Sequence, residues 1–250
     1  SSSPLKHVDI AMSPGNRLPR FVHFLSLSLS LHIQTHSIPR GQDTIASVLS
    51  HSGQRFNRYY KGGELELIGW RGLCDVGFWG VGSRLVGQID VPDLELIPQR
   101  YDELKQSDGL EFRAGLELRA LQLAVSFVST FMPFLRLERF AYIITQASKM
   151  LMSFGTSEGA YMLKIQNEQN ESVTWSMVAS DGFGVLTPCI ASAVMSERIV
   201  HGKVECGARA LMGELTESDI RECVSEFPFY FHVKRRKEEN HKSTLRDVRL

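Results

Sequence analysis

Residues 159–219 constrain the fold more than any other stretch of this chain. Two runs with apolar residues at alternate positions, AYMLKIQ (160–166) and VTWSMVAS (173–180), flank the polar loop NEQNES. That pattern predicts a β-hairpin with one face turned inward. Asp181-Gly182-Phe183-Gly184 follows as a turn, and Thr187-Pro188 opens a helix. Thr is a good N-cap, and the fixed φ of Pro suits the first helical position. The helix is expected to reach His201 and stop at Gly202, a C-cap residue. The turn Cys206-Gly207-Ala208-Arg209 leads to Gly213, and Thr216 caps another helix. The unit is strand, turn, strand, glycine turn, helix, loop, helix. Its fold class is α+β, with a mixed or antiparallel sheet and helices packed on one face.

The rest of the chain supplies further elements. HVDIAM (7–12) suits a strand, and Ser13-Pro14-Gly15-Asn16 is turn chemistry. Residues 21–39, FVHFLSLSLSLHIQTHSIP, contain no acid and alternate Ser with Leu. Three readings compete: an amphipathic strand, a membrane segment, and a stretch that is not true coding sequence. The apolar run is too short and too polar for the ~20 residues of a spanning helix. Pro-Arg occurs at 19–20 and again at 39–40, so removing 21–40 joins SPGNRLPR to GQDTIASVL without a break. A retained intron with a pyrimidine-rich tract accounts for that pattern, and the segment is read as a non-native insertion. GQDTIASVLSHSG (41–53) predicts a short helix capped by Asp43, with Ile45, Val48 and Leu49 inward and Gly53 at its end.

Residues 54–91 are glycine-rich and read as irregular, with short strands at 64–69 and 84–88. Trp70 and Arg71 sit beside glycines. Either this loop covers a ligand, with Arg71 or Arg84 holding a carboxylate or phosphate, or Trp70 simply packs a surface loop. Gly77-Phe78-Trp79-Gly80-Val81-Gly82 lacks a preceding apolar strand and is read as a loop. EFRAGLEL (111–118) predicts a strand. Glu117 at its end is an acid/base candidate or a solvated carboxylate. Residues 118–152 are strongly apolar and broken by Pro133, which predicts helices at 119–131 and 134–152. Their apolar surface is expected to be buried, or to pack against a missing domain or a second subunit. FPFYFHV (227–233) predicts a strand, after which 234–250 reads as a polar tail, its basic KRRK (234–237) followed at once by two glutamates.

Composition limits what the chain can do. Formal net charge is zero, so no global field draws it to nucleic acid or anionic lipid, and no nucleic-acid partner is expected. No transmembrane segment is expected. Four cysteines, at 74, 189, 206 and 223, lie in no CxxC spacing and read as free cytoplasmic thiols. No GxGxxG follows a strand, and there is no P-loop, GxSxG or HExxH. His32 and His36 stand four apart but lie in the suspect segment, so no metal site is expected. The first residue is Ser rather than Met, which points to a fragment, a processed product or an incompletely predicted protein.

One resemblance runs through these motifs. SPGNRLPR, then Gly69-Trp70, Arg84-Leu85 and Asp90-Val91-Pro92-Asp93-Leu94, then AGLEL, the 159–179 hairpin, the W-x-x-x-A-x-D-G-x-G run and Thr187-Pro188 occur in order. In that order they resemble the C-terminal portion of saccharopine-dehydrogenase-like oxidoreductases. The sequence departs from the family pattern at Phe183 and Val185, and at Ala210-Leu211-Met212 before Gly213. The resemblance implies NAD(P)-dependent hydride chemistry with the cofactor held by an N-terminal Rossmann domain. This chain matches only the second part, a domain of residues 41–233 that shapes a small-molecule substrate pocket and mediates dimerisation through its apolar helices. No cofactor is expected for this chain alone. The implied substrate-binding residues are Trp70, Arg84, Asp181, Gly182, Gly184, Thr187 and Pro188. Turn formation and helix capping account for the last five equally well. The other reading of the whole chain is a stand-alone, non-catalytic interaction module.

Overall fold

The computed structural model describes residues 4–14, 42–151, 154–207 and 210–237. The proposed insertion at 21–40 and the Ala208-Arg209 motif lie outside the described residues. In chain order the elements are β1 (Leu5–Ser13), α1 (Gln42–Ser50), β2 (Arg55–Tyr60), β3 (Gly63–Ile68), β4 (Cys74–Phe78) and β5 (Gly82–Gln88). There follow α2 (Asp93–Arg100), α3 (Glu103–Gln106), β6 (Gly109–Ala114), α4 (Arg119–Phe131), a 3-10 turn (Leu137–Phe140) and α5 (Ala141–Leu151). The chain continues through β7 (Gly159–Asn167), β8 (Glu171–Ala179), a second 3-10 turn (Phe183–Leu186), α6 (Thr187–Val200), α7 (Glu217–Cys223) and β9 (Phe229–Lys237).

Seven strands form one sheet in the order β4-β5-β6-β1-β7-β8-β9, and β2-β3 make a separate hairpin. The sheet is mixed: β1 runs parallel to β6, and the other neighbours are antiparallel. The fold is therefore α+β. Alternation along β1 and β6 divides the side chains cleanly. Val8, Ile10, Leu110 and Phe112 enter one core with Phe56 of β2, Leu94 of α2 and Leu104 of α3. Each such fully buried side chain is worth about 1.5–3 kcal/mol of hydrophobic stabilisation. On the opposite face Ala11, Ala160 and Val178 pack under Phe78 and Val86 of the β4-β5 hairpin, which folds back over the sheet. Trp79, at the hairpin tip, stacks on His232 of β9 with ring centroids 5.0 Å apart. The sheet is thus curled, one end touching the other.

Several expectations are corrected. Residues 77–82 are the end of β4, a tight turn and the start of β5; φ values of 73° at Gly80 and 92° at Gly82 make the turn possible. The apolar alternation there, Val76 and Phe78, is too short to stand out among glycines. The basic residues 234–237 are not tail: they pair with β8 as far as Glu171↔Lys237. Thr187 does not cap its helix. Leu186 holds that position, because the preceding 3-10 turn runs directly into α6 and leaves Thr187 already helical. Asp43 likewise falls inside α1, which begins at Gln42. The hairpin of β7 and β8, the Pro133 break and the Thr216 cap are as expected. The second helix starts later, at Ala141, behind the 3-10 turn.

The run Phe183–Val200 is long and apolar enough to cross a membrane by length and composition, and little of it is buried. Arg198 in its last turn binds Asp219 of α7 at 2.7 Å and donates to the carbonyl of Glu214, which fastens α6 to the second helix.

Candidate functional site

Arg84 of β5 organises one end of the sheet. Its guanidinium is buried and donates to Ser13 Oγ at 3.1 Å and to the Pro14 carbonyl at 3.3 Å. The other Nη donates to Thr156 Oγ1 and the Glu158 carbonyl, both at 3.3 Å. The Glu117 carboxylate lies 3.5 Å away and itself accepts from Thr156 N and Oγ1, each at 2.5 Å. Glu117 is thus not solvated; its side chain is 9% exposed. Burial pushes the Arg84 pKa down, against the charges of Glu117 and Glu158. An arginine stays charged through such a shift.

The same corner gathers most of the predicted residues. Gly182 N donates to the Ser157 carbonyl at 2.7 Å, so the Asp181-Gly182 turn is tied beside Thr156 and Glu158. Both residues have positive φ, 54° and 79°. A Cβ on Gly184 would sit 3.4 Å from Gly159 Cα, so the turn lies against the start of β7. Thr187 and Pro188 open α6 directly beyond it. Trp70 lies elsewhere. It is 1% exposed, and its Nε1 donates to the Val48 carbonyl at 3.1 Å, so it packs against α1. Arg71 is likewise engaged, donating to Thr130. Arg84 spends its Nη donors on internal acceptors; here it positions loops.

A second cluster was missed by sequence reasoning. On the sheet face opposite the large core, the register aligns Glu111, Asp9, Lys164, Thr174 and Lys234 across five strands. A neighbouring row aligns His7, Gln166, Ser172 and Arg236. The β4-β5 hairpin covers the apolar half of this face; in the polar half the side chains of His7, Asp9 and Glu111 are partly exposed. His7 Nε2 lies 2.8 Å from Asp9 Oδ1, and its Nδ1 is buried without a partner. Glu111 receives Arg58 Nη2 at 2.8 Å on one oxygen and Arg113 Nη2 on the other. Arg113 also donates to Cys74 Sγ at 2.6 Å. The signal was present: His7, Asp9, Glu111 and Arg113 alternate with Val8, Ile10, Leu110 and Phe112.

Electrostatics favour a charged His7. Burial opposes its charge, but the hydrogen bond to Asp9 and the carboxylates of Asp9 and Glu111 override it, and its pKa is raised. Burial likewise opposes ionisation of Asp9, and His7, Arg113 and Lys164 override it, so its pKa is lowered. His7, Asp9 and Glu111 bring ligand atoms within 4.8 Å of one another. They fit a cation poorly, because guanidinium groups already occupy both Glu111 oxygens. Arg58, Arg113 and Lys164 outnumber the two carboxylates, so the cluster is net positive and attracts an anion, though Arg58 and Arg113 spend their Nη donors on Glu111, Cys74 and backbone carbonyls. The His7–Asp9 pair beside it suits proton transfer.

No family model matches the sequence, and no curated protein matches it. Among solved structures, the chain is similar to apo saccharopine dehydrogenase (L-Glu forming) from Saccharomyces cerevisiae. The TM-score is 0.49 at 9% identity, over 93% of this chain and 67% of that one. The likeness is a distant structural one.

Proposed function

We propose that this chain is the substrate-binding part of an NAD(P)-dependent oxidoreductase of the saccharopine-dehydrogenase-like kind, and that the open polar face of its sheet holds a small anionic substrate. One observation carries the reading: the His7–Asp9 pair sits among Lys164, Arg113 and Arg58 on the partly exposed polar half of the sheet face. The motif order that resembles the family supports it. Lys164 attracts the substrate's carboxylate or phosphate, and Arg113 and Arg58, held by Glu111, add their positive field. His7, oriented by Asp9, exchanges a proton at the reacting carbon's substituent. The hydride donor is a nicotinamide bound outside this sequence, so the chain alone binds substrate without turning it over.

The test is calorimetric titration of the chain with a panel of small mono- and dicarboxylates and phosphate esters. At least one is expected to bind, and Lys164→Met is expected to weaken it about tenfold, the loss of one charge-assisted contact. Silence across the panel, or affinity indifferent to both Lys164→Met and His7→Gln, contradicts the reading. A non-catalytic interaction module is the second reading, favoured by the outward apolar face of α4. Tight NADPH binding by this chain alone would count against it.

A further inference from the structure

One end of the sheet carries charge of a single sign. On the face that holds His7 and Asp9, the register brings Lys164 of β7 and Lys234 and Arg236 of β9 together with Gln166, Ser172 and Thr174. Glu171, the only acid in these three strands, falls at the alternate position and points to the opposite face. Lys234 and Arg236 are exposed, and neither forms an ion pair among the described residues. Cations so placed repel one another, and an anion set between them relieves that repulsion.

The β4-β5 hairpin sets a ring beside these cations. Its tip lies against β8 and β9, with Gly80 next to Val178 and the Trp79 indole 11° from parallel to the His232 ring, centroids 5.0 Å apart. His232 backs one face of the indole, and Trp79 is still 41% exposed. A ring held flat from behind is a platform on which another aromatic stacks. Lys234 and Arg236 follow His232 by two and four residues, about 7 and 13 Å along the strand. Thr174 and Ser172 stand opposite them on β8. We propose that this end of the sheet binds a nucleoside diphosphate. Its base stacks on the free side of Trp79, and its phosphates lie over Lys234 and Arg236, with the Thr174 and Ser172 hydroxyls as further donors.

The ligand class follows from this layout. A stacking ring selects a planar aromatic, and two cations one after the other beside it select a chain of phosphates. A single nucleotide fits better than a polymer. Single-stranded nucleic acid needs a succession of stacking rings along its path, and here the cations have Trp79 alone beside them. Tyr230, also exposed on this face, lies two residues the other way along β9. A formal net charge of zero draws no polyanion from a distance. This ligand is distinct from the nicotinamide cofactor, which the family resemblance assigns to a Rossmann domain outside these residues. The site uses neither His7 nor Asp9, so it stands apart from the substrate reading.

The experiment is calorimetric titration of the full chain with ADP, adenosine and inorganic pyrophosphate, without divalent cations, alongside tryptophan fluorescence. ADP is expected to bind about tenfold or more tighter than either fragment, because it alone meets both the ring and the cations. Lys234→Met and Arg236→Met are each expected to weaken ADP about tenfold, the loss of one charge-assisted contact. Both positions are exposed, so circular dichroism should show each variant folded. ADP should quench the fluorescence of Trp79, since Trp70 is 1% exposed and Trp175 Nε1 is buried. Trp79→Leu should abolish that quench and weaken ADP about tenfold. Small carboxylates should bind the two β9 variants as they bind the wild type, which separates this site from the one at His7. A chain that does not bind ADP overturns the proposal, as does affinity indifferent to Lys234→Met and Arg236→Met. Pyrophosphate bound as tightly as ADP overturns the stacking of a base. An oligonucleotide bound more tightly than ADP overturns the choice of a single nucleotide.

Discussion

The guanidinium of Arg84 has an architectural role in this fold. It joins the end of β1, the loop before β7 and Glu117 through one buried guanidinium. Removing one partner from such a buried pair strands the other, at about 3–5 kcal/mol. Arg84→Met is therefore expected to lower unfolding free energy in urea by about 3 kcal/mol. Glu117→Gln, which still accepts from Thr156, should lose less. The double variant should lose less than the sum of the two, because the groups share partners; strict additivity would show that the pair is not coupled. The sequence made Arg84 visible as a cation in a glycine-rich stretch. It did not reveal the acceptors, which come from three distant segments. His7 and Asp9 were hidden for the opposite reason: a polar residue at alternate strand positions reads as a solvated face until its neighbours in the sheet are known.

At the level of elements, local chemistry was the legible part. The β7-β8 hairpin announces itself by alternation around a polar loop, and Thr216 announces a helix by capping. The cap is a full box: Thr216 Oγ1 accepts from Asp219 N at 3.3 Å, and Thr216 N donates to Asp219 Oδ2 at 2.7 Å. The Thr216 hydroxyl and backbone, followed by Arg198, hold the Asp219 carboxyl at about 2. Thr216→Ala is expected to lower stability by about 1 kcal/mol. Thr216→Ser should restore most of it; equal melting of all three proteins would show that the cap contributes nothing. Less legible was the orientation of α4. Its period-3.6 pattern identifies a helix with one apolar side, but periodicity does not say which side meets the protein. Gln122 and Ser129 decide that through partners at Leu116 and Ser52, and neither contact has a sequence signature.

For the molecule as a whole, the centre of the sheet carries the pH dependence. β1 lies between β6 and β7, with His7 and Asp9 on it. A raised histidine pKa stabilises fully below the unfolded value of 6.5, and that contribution is lost as pH rises through the folded value. A lowered carboxyl pKa stabilises above 3.8, and that contribution is lost as pH falls through its folded value. Melting temperature should therefore peak between these limits and fall on the alkaline side above 6.5. His7→Gln should flatten that alkaline limb; an unchanged limb would assign it to other groups. None of this was legible, since strand order cannot be read from a single sequence when partners lie far apart.

That distance also sets a clock. His7 pairs with Gly109 on one side and with Gln166 on the other. A ribosome adding about 5–20 residues per second needs about 5–20 s to pass from the first strand to its parallel neighbour, and several more to reach β7. During synthesis the most central strand of this protein waits longest for company, with Val8 and Ile10 bare to solvent or to whatever chaperone holds them.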